Sequence, residues 1–316
     1  MKRCFVGFDT SNYTTSAAVC TENGEVIANI KRPLPVKEGE CGLRQSDAVF
    51  AHIKNLPFVA DELSAVLSDG YEVLAVGVSA RPRDAEGSYM PCFLSGVAAA
   101  HSFAAARGID IYDFSHQNGH IRAAAYSSGH ENRIFEGRFL TFHVSGGTTE
   151  ALLAQPSDSG FDAELVGGTL DLNAGQVIDR VGVSLGLSFP CGAELEKMAR
   201  EYCGHGEKIK TSVKDGWCNL SGLQNMAAAL YEKTRDKNST AAFVFDFVCE
   251  TLVAMTAQLV EKYGDMPVLF AGGVMSNRYM RQRISERFEA YFAEPAFSAD
   301  NAAGIALLCR EKYLAE

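Results

Sequence analysis

Nine cysteines occur without one Cys-x-x-Cys pair, scattered through strand-like and helix-like stretches. An odd, dispersed set is expected to be reduced thiols rather than a disulfide framework, and none is assigned to zinc or to nucleophilic work. A secretion signal is also lacking, since Met1-Lys2-Arg3 leads straight into the strand-like residues 4–8. The most apolar long run, residues 91–106, contains His101 and is too short to span a bilayer. A cytoplasmic protein without membrane association is therefore expected. Positive charge is scarce as well: 29 basic residues face 39 acidic ones, a net charge of −10. Free nucleic-acid binding draws on clustered positive charge, so this balance argues against an autonomous DNA or RNA binder. It leaves room for an enzyme that meets RNA through a local basic patch or a partner subunit. Low-complexity segments and an evident interdomain linker are absent too.

What is present suits a globular chain long enough for two lobes, with 316 residues, 47% apolar and 22% charged. Residues 5–19 read as strand, polar turn, strand, and residues 139–153 repeat that layout. Sliding one onto the other by 134 positions pairs Phe5 with Phe139, Phe8 with Phe142, Ser11 with Ser145, Thr14 with Thr148, Thr15 with Thr149 and Ala17 with Ala151. The equal spacing favours a duplicated domain over chance similarity of two hairpins. A Gly/Ser/Thr tip presents backbone N–H groups and hydroxyls suited to anionic oxygens, although such residues are common in plain turns. Two related lobes with facing tips would enclose a nucleotide.

Between the repeats, residues 26–32 are strand-like and 33–42 form a loop. Residues 46–67 have the spacing of an amphipathic helix, kinked or restarted near Pro57. A buried strand at 73–78 leads into a polar loop whose Arg81 and Arg83 are candidates for touching phosphate. Then come a small-residue helix (93–106), a strand (109–114) and a helix (116–127). After the second hairpin, helices are expected at 174–187, 193–202, 223–235 and 240–263. A short strand at 268–270 runs through Gly272-Gly273 into a basic helix at 278–288, and a last helix spans 301–313. This alternation predicts an α/β architecture.

Several residues carry candidate chemistry. His116 and His120, four apart on a helix, stack with about 6 Å between their Cβ atoms and can reach one metal ion. Two ligands do not make a metal site, and the alternative is an ordinary polar helix start. The strand–Gly-Gly–helix element at 270–283 could dock a phosphate or ribose at its helix N-terminus, but it is not a P-loop. Asp171 could cap the helix that follows it. Asp179, among apolar neighbours, needs a partner, either Arg180 or a ligand hydroxyl. Asp300 could cap the last helix or serve as a metal ligand.

Taken in order, six motifs resemble one family. They are Asp9-Thr10-Ser11, His116-x3-His120, Val144-Ser145-Gly146-Gly147, Asp171 through Asp179 to Pro190-Cys191-Gly192, Ala271 through Asn277, and Asp300-Asn301-Ala302-Ala303. Together they span nearly the whole chain and resemble the catalytic subunit of tRNA threonylcarbamoyladenosine synthase, once labelled a glycoprotease. The resemblance implies a duplicated actin/hexokinase/Hsp70-like α/β fold with a ligand cleft between the lobes. The first lobe would be residues 1–130, with the C-terminal helix 298–316 packing back on it, and the second 131–297. It further implies that His116, His120 and Asp300 hold one divalent iron or zinc ion. Val144, Ser145, Gly146 and Gly147 would line the substrate pocket. Asp179, Gly192 and Glu196 would contact the ribose side of an adenylate, and Asn277 its base or ribose. The implied ligand is an adenine nucleotide or threonylcarbamoyl-AMP, the reaction is transfer of the threonylcarbamoyl group to N6 of an adenosine in tRNA, and the partners are subunits of a tRNA-modification complex.

The chain departs from the family pattern at several places, as a divergent paralogue would. Asn12, Tyr13 and Thr14 stand where the family has Cys-Asp-Glu, and Thr148 where it has His. Leu172 and Gln176 replace an Asp and a Glu, and the region around Arg81-Pro82-Arg83 replaces a Gly-Pro-Gly turn. The alternative function is a non-catalytic paralogue that binds nucleotide and metal and scaffolds or regulates a complex. A kinase on the same fold is a further alternative. A metallopeptidase is disfavoured, because Gln117 and Asn118 leave the histidine pair without the general-base glutamate of His-Glu-x-x-His.

Overall fold

The apolar run from Cys4 to Phe8 is buried on every residue, which suits a strand covered on both faces at the middle of a sheet. The structure, a computed structural model, describes residues 2–11, 13–35, 43–158, 160–204 and 209–316. Asn12 of the first turn, and positions 36–42 of the loop expected at 33–42, lie outside the described residues. The chain divides into two compact units. One comprises Met1–Gly129, Pro156–Asp162 and Ala296–Glu316, and the other His130–Gln155 and Ala163–Pro295. Within the first unit, a Cβ on Gly160 would stand 3.1 Å from Asn118 Nδ2 and 3.2 Å from Leu308 Cδ2.

In the first unit, strands β1 (Lys2–Ser11), β2 (Thr14–Thr21), β3 (Val26–Pro33), β4 (Tyr71–Arg81) and β5 (Asp110–Ser115) form a sheet of order β3-β2-β1-β4-β5. The first three strands pair antiparallel, whereas β1, β4 and β5 run parallel. Helices Gln45–Leu67 and Phe93–Arg107 pack on this sheet, and so does the C-terminal helix Ala303–Ala315, which also packs on helix His116–Ser128. The Gln45–Leu67 helix runs on through Pro57 rather than restarting there. The carbonyl that Pro57 cannot bond belongs to the exposed Ile53 and can turn to water.

The second sheet is formed by β6 (Phe139–Val144), β7 (Thr149–Ser157), β8 (Gly160–Thr169), β9 (Val213–Lys214), β10 (Trp217–Cys218), β11 (Val268–Ala271) and β12 (Ala290–Phe292), in the order β12-β11-β6-β7-β8-β10-β9. Reversed, its first five strands follow the order of the first sheet, each standing where its counterpart stands, so the similarity of the two hairpins extends to whole sheets. Phe142, Phe270 and Phe292 stack across β6, β11 and β12, with centroids 4.9 Å and 5.4 Å apart. Helix Lys237–Tyr263 is long and apolar enough to span a bilayer, yet its apolar side chains, among them Phe247, Leu252 and Met255, sit in the second unit's core.

Asp171 does not cap the helix that follows it. That helix, Ala174–Ser184, is capped by Asn173 in a capping box with Gln176. Asp171 instead accepts from Leu220 N at 2.8 Å, Ser221 N at 3.1 Å and Ser221 Oγ at 2.6 Å, closing the start of helix Ser221–Thr234 from 49 and 50 residues away. Burial pushes its pKa up, but hydrogen bonds from Ser221, Leu220 and Leu172 outweigh that and hold it well below the usual carboxylate range. Its stabilisation is therefore complete above pH about 4 and is lost as acid protonates the folded carboxylate. Asp171→Asn is expected to cost about 1 kcal/mol, as a lost cap does, and to weaken the loss of stability in acid. Denaturant melts at pH 7 and pH 3 would test this, and identical midpoints for wild type and variant at both would refute it.

Candidate functional site

The His116–Ser128 helix starts where β5 ends, and its first turn is braced from outside. Ser115 is the N-cap, its Oγ accepting from Asn118 N at 3.3 Å. Asp84 Oδ2 accepts from Ser115 Oγ at 2.7 Å and from Asn118 Nδ2 at 2.8 Å. Arg81 donates to the other oxygen of Asp84 at 2.7 Å, so this guanidinium serves the brace instead of waiting for a phosphate.

Asp300 is not the cap of the last helix. Ala302 occupies the N-cap position, and Asn301 Oδ1 accepts from Ala303 N at 3.0 Å. Asp300 Oδ1 lies 3.3 Å from His120 Nε2 and 3.7 Å from His116 Nε2. One ligand atom from each of His116, His120 and Asp300 falls within 4.8 Å of the others. Donors bound to one tetrahedral ion at about 2.0–2.2 Å stand about 3.3–3.6 Å apart, so the set fits a metal ion and leaves a coordination position open. Two imidazoles and a carboxylate suit zinc or iron better than magnesium or calcium.

Asp9, quoted in a motif but assigned no role by sequence, completes the centre. It is fully buried near the end of β1, and its Oδ2 lies 2.6 Å from His116 Nδ1 and accepts from Ser79 Oγ at 2.5 Å. Its Oδ1 accepts from Ser11 N at 2.8 Å. A proton on Nδ1 facing Asp9 leaves Nε2 as the lone-pair donor, the arrangement that orients a metal-binding histidine. Burial pushes the His116 pKa down, but the charge and hydrogen bond of Asp9, with Asp300 beyond, reverse this and hold it at about 9. A metal ion would displace the second imidazolium proton. The sequence signal was available in hindsight: a carboxylate closing an apolar central strand must find a partner.

Close backbone approach brings Asp300 to the histidines. A Cβ on Gly304 would stand 1.9 Å from the Gly119 carbonyl oxygen, and one on Gly119 would stand 2.8 Å from Ile305 Cδ1.

The other expected site residues lie in the second unit. Val144 is the buried last residue of β6. Ser145 Oγ accepts from Gly147 N at 3.3 Å and Thr148 N at 3.1 Å, so those N–H groups serve the turn itself. Gly146 and Gly147 border open space, and a Cβ on Gly175 would meet Gly146 N at 2.6 Å. Among the described residues the partner of Asp179 is not Arg180 but a backbone group: its Oδ1 accepts from Cys191 N at 2.8 Å, next to Gly192. Glu196 and Asn277 do converge, on a cavity of about 220 Å³ also lined by Arg200, Phe245, Asp246 and Tyr279. Asn277 spends its Oδ1 capping the next helix at Met280 N, 3.0 Å away, leaving its amide nitrogen for a ligand. Glu196 is ion-paired with Arg200, and Asp246 Oδ1 accepts from the Tyr279 hydroxyl and from Arg283. Aromatic rings, an apolar wall and the remaining carboxylate oxygens suit a nucleoside, with a base to pack and hydroxyls to bind.

Gly304→Ala is expected to cost about 1–3 kcal/mol by overpacking the helix crossing. A thermal or denaturant melt indistinguishable from wild type would show that the crossing accepts a methyl group.

The model of the TsaD family, tRNA N6-adenosine threonylcarbamoyltransferase, matches residues 39–307. A tRNA N6-adenosine threonylcarbamoyltransferase of Methanopyrus kandleri is 26% identical, with 95% of this chain and 85% of that protein covered. One of Streptococcus pneumoniae is 29% identical, with 90% and 83% covered. Among solved structures, the Acidaminococcus fermentans (R)-2-hydroxyglutaryl-CoA dehydratase component A is similar in fold, with a TM-score of 0.53, 14% identity, and 98% of this chain and 99% of that one covered. HypF in its phosphate- and nucleotide-bound form gives a TM-score of 0.58 at 12% identity, covering 98% of this chain and 55% of that one. The fold is the α/β fold of the actin/hexokinase/Hsp70 group. The chain belongs to the TsaD family, the tRNA N6-adenosine threonylcarbamoyltransferases, and is an acyltransferase.

Proposed function

We propose that this protein transfers a threonylcarbamoyl group from its AMP adduct to N6 of an adenosine in tRNA, using one iron or zinc ion held by His116, His120 and Asp300. The carrying observation is the convergence of those three side chains, with the buried Asp9 orienting His116. When bound, the ion supplies Lewis acidity and a template for the carbamoyl and phosphate oxygens. In the transfer, the new bond joins N6 to the carbamoyl carbon and the bond from that carbon to the phosphate oxygen breaks. AMP departs with the electron pair, and N6 gives up a proton.

The chain's own groups have definite tasks in this scheme. Asp9 keeps a proton on His116 Nδ1, so that Nε2 stays a donor. Glu196 accepts ribose hydroxyls, Phe245 and Tyr279 pack the adenine, and the Asn277 amide nitrogen donates to the nucleoside. Asp179 acts at one remove, by fixing the Cys191 backbone beside Gly192. The net charge of −10 suits an enzyme that meets tRNA with partner subunits of a modification complex, in the cytoplasm.

Two measurements test this. His120→Ala and Asp300→Ala are expected to lose most of the bound metal in elemental analysis, and Asp9→Asn to weaken metal affinity by about 10- to 100-fold. Full metal content in both alanine variants would refute the ligand assignment. In cells lacking the modified nucleoside, the wild-type gene with its partners should restore it, as read by mass spectrometry of tRNA digests. No modified nucleoside, despite nucleotide binding measured by calorimetry, would refute the substrate assignment.

A further inference from the structure

A cation stands beside this centre and, among the described residues, forms no ion pair. The register of the first sheet pairs Asp9 with Ser16 and Ser16 with Lys31, so these three residues form one lateral row across β1, β2 and β3. Directly paired residues in such a row point to the same face of the sheet. That face carries the His116–Ser128 and Ala303–Ala315 helices, since Asp9 meets His116 at one end of the row and Lys31 meets the segment before Asp300 at the other. Two strand spacings, about 10 Å, separate the backbones of Asp9 and Lys31.

Lys31 is half-buried, and Nζ donates to the neutral carbonyl of Ala296 at 2.6 Å, four residues before Asp300. Among the described residues no carboxylate lies within ion-pair reach of this ammonium, although the charge of Asp300 acts on it. Burial pushes its pKa down and Asp300 only partly offsets this. A partly desolvated ammonium without a paired counter-charge is unfavourable. Asp300 cannot fully compensate it while also serving His116 and His120. Two carboxylates, a divalent cation and an ammonium sum to one positive charge, and an anionic ligand would neutralise it.

We propose that Lys31 is an anion-binding residue of this site, taking an anionic oxygen of the acyl donor, either the threonyl carboxylate or the phosphate. The assignment rests on the transferase function for the identity of the ligand, and on the Asp9–Ser16–Lys31 row for its location. The long, unbranched side chain can follow the anion while its stem stays against the sheet.

Calorimetric titration with N-carbamoyl-L-threonine, AMP and adenosine separates the two anions from a neutral control, with metal content measured on each sample. Lys31→Met is expected to weaken one of the two anions by about 10- to 100-fold, the size of a lost charge-assisted hydrogen bond. Lys31→Arg should retain most of that binding, and adenosine binding should not change. The anion that weakens identifies the group Lys31 holds. If Lys31→Met does not fold, Lys31→Gln takes its place in the same titrations. Unchanged binding of both anions overturns the proposal, as does equal weakening of adenosine, or a wild-type protein that binds neither anion. Lys31-dependent anion binding in a protein that makes no modified nucleoside would fault the transferase assignment alone.

Discussion

The first unit depends on the closeness of two helix backbones. Gly119 and Gly304 meet where any side chain on Gly304 would collide with the Gly119 carbonyl oxygen at 1.9 Å. Small residues at a crossing let helices approach beyond the usual 8–10 Å. Here that approach carries the chain just before the last helix to the start of the histidine helix. Asp300 can then reach two imidazoles instead of capping its own helix, a task left to Asn301. Gly7 and Gly77 serve the same helix on its sheet side, where added Cβ atoms would meet Ala306 N at 2.5 Å and Ile305 O at 2.9 Å. The ligand geometry thus follows from a row of missing side chains more than from any attraction among the ligands.

The second constraint is electrostatic. Asp9 is buried completely, and a lone carboxylate there would be costly. Hydrogen bonds from Ser11 N and Ser79 Oγ, together with His116, satisfy it. Burial pushes its pKa up, but the charge and hydrogen bond of His116, with the hydrogen bond from Ser79, outweigh that and hold it below the ordinary value. One buried charge therefore settles the tautomer of one imidazole. The Asp9–Ser16–Lys31 row continues this arrangement across the sheet, with a carboxylate at one end and an ammonium at the other.

In the second unit, turns and caps do comparable work. Gly272, at φ +98°, puts its Cα where a side chain would stand 2.2 Å from the Val144 carbonyl oxygen. The turn after β11 thus lies directly against the tip of the β6–β7 hairpin. Gln176 is occupied by the Asn173–Gln176 capping box. Leu172 packs against the core. Both side chains thus have structural tasks.

Local features were legible in the sequence because their causes are local. The spacing that stacks His116 over His120 and the apolar strand before each polar turn depend on residues within a few positions of one another. The repeat offset of 134 also survives in the strand order of both sheets. Choices among partners were not legible, because each depends on which surfaces the packed chain brings together. Asp9 and His116 are 107 residues apart, and Asp171 and Ser221 are 50. By sequence, Asp171 and Asp300 were equally good caps for the helices that follow them. Tertiary packing gave Asp171 another helix to cap and turned Asp300 toward two imidazoles, because a carboxylate goes to the donors that the surrounding backbone holds within reach.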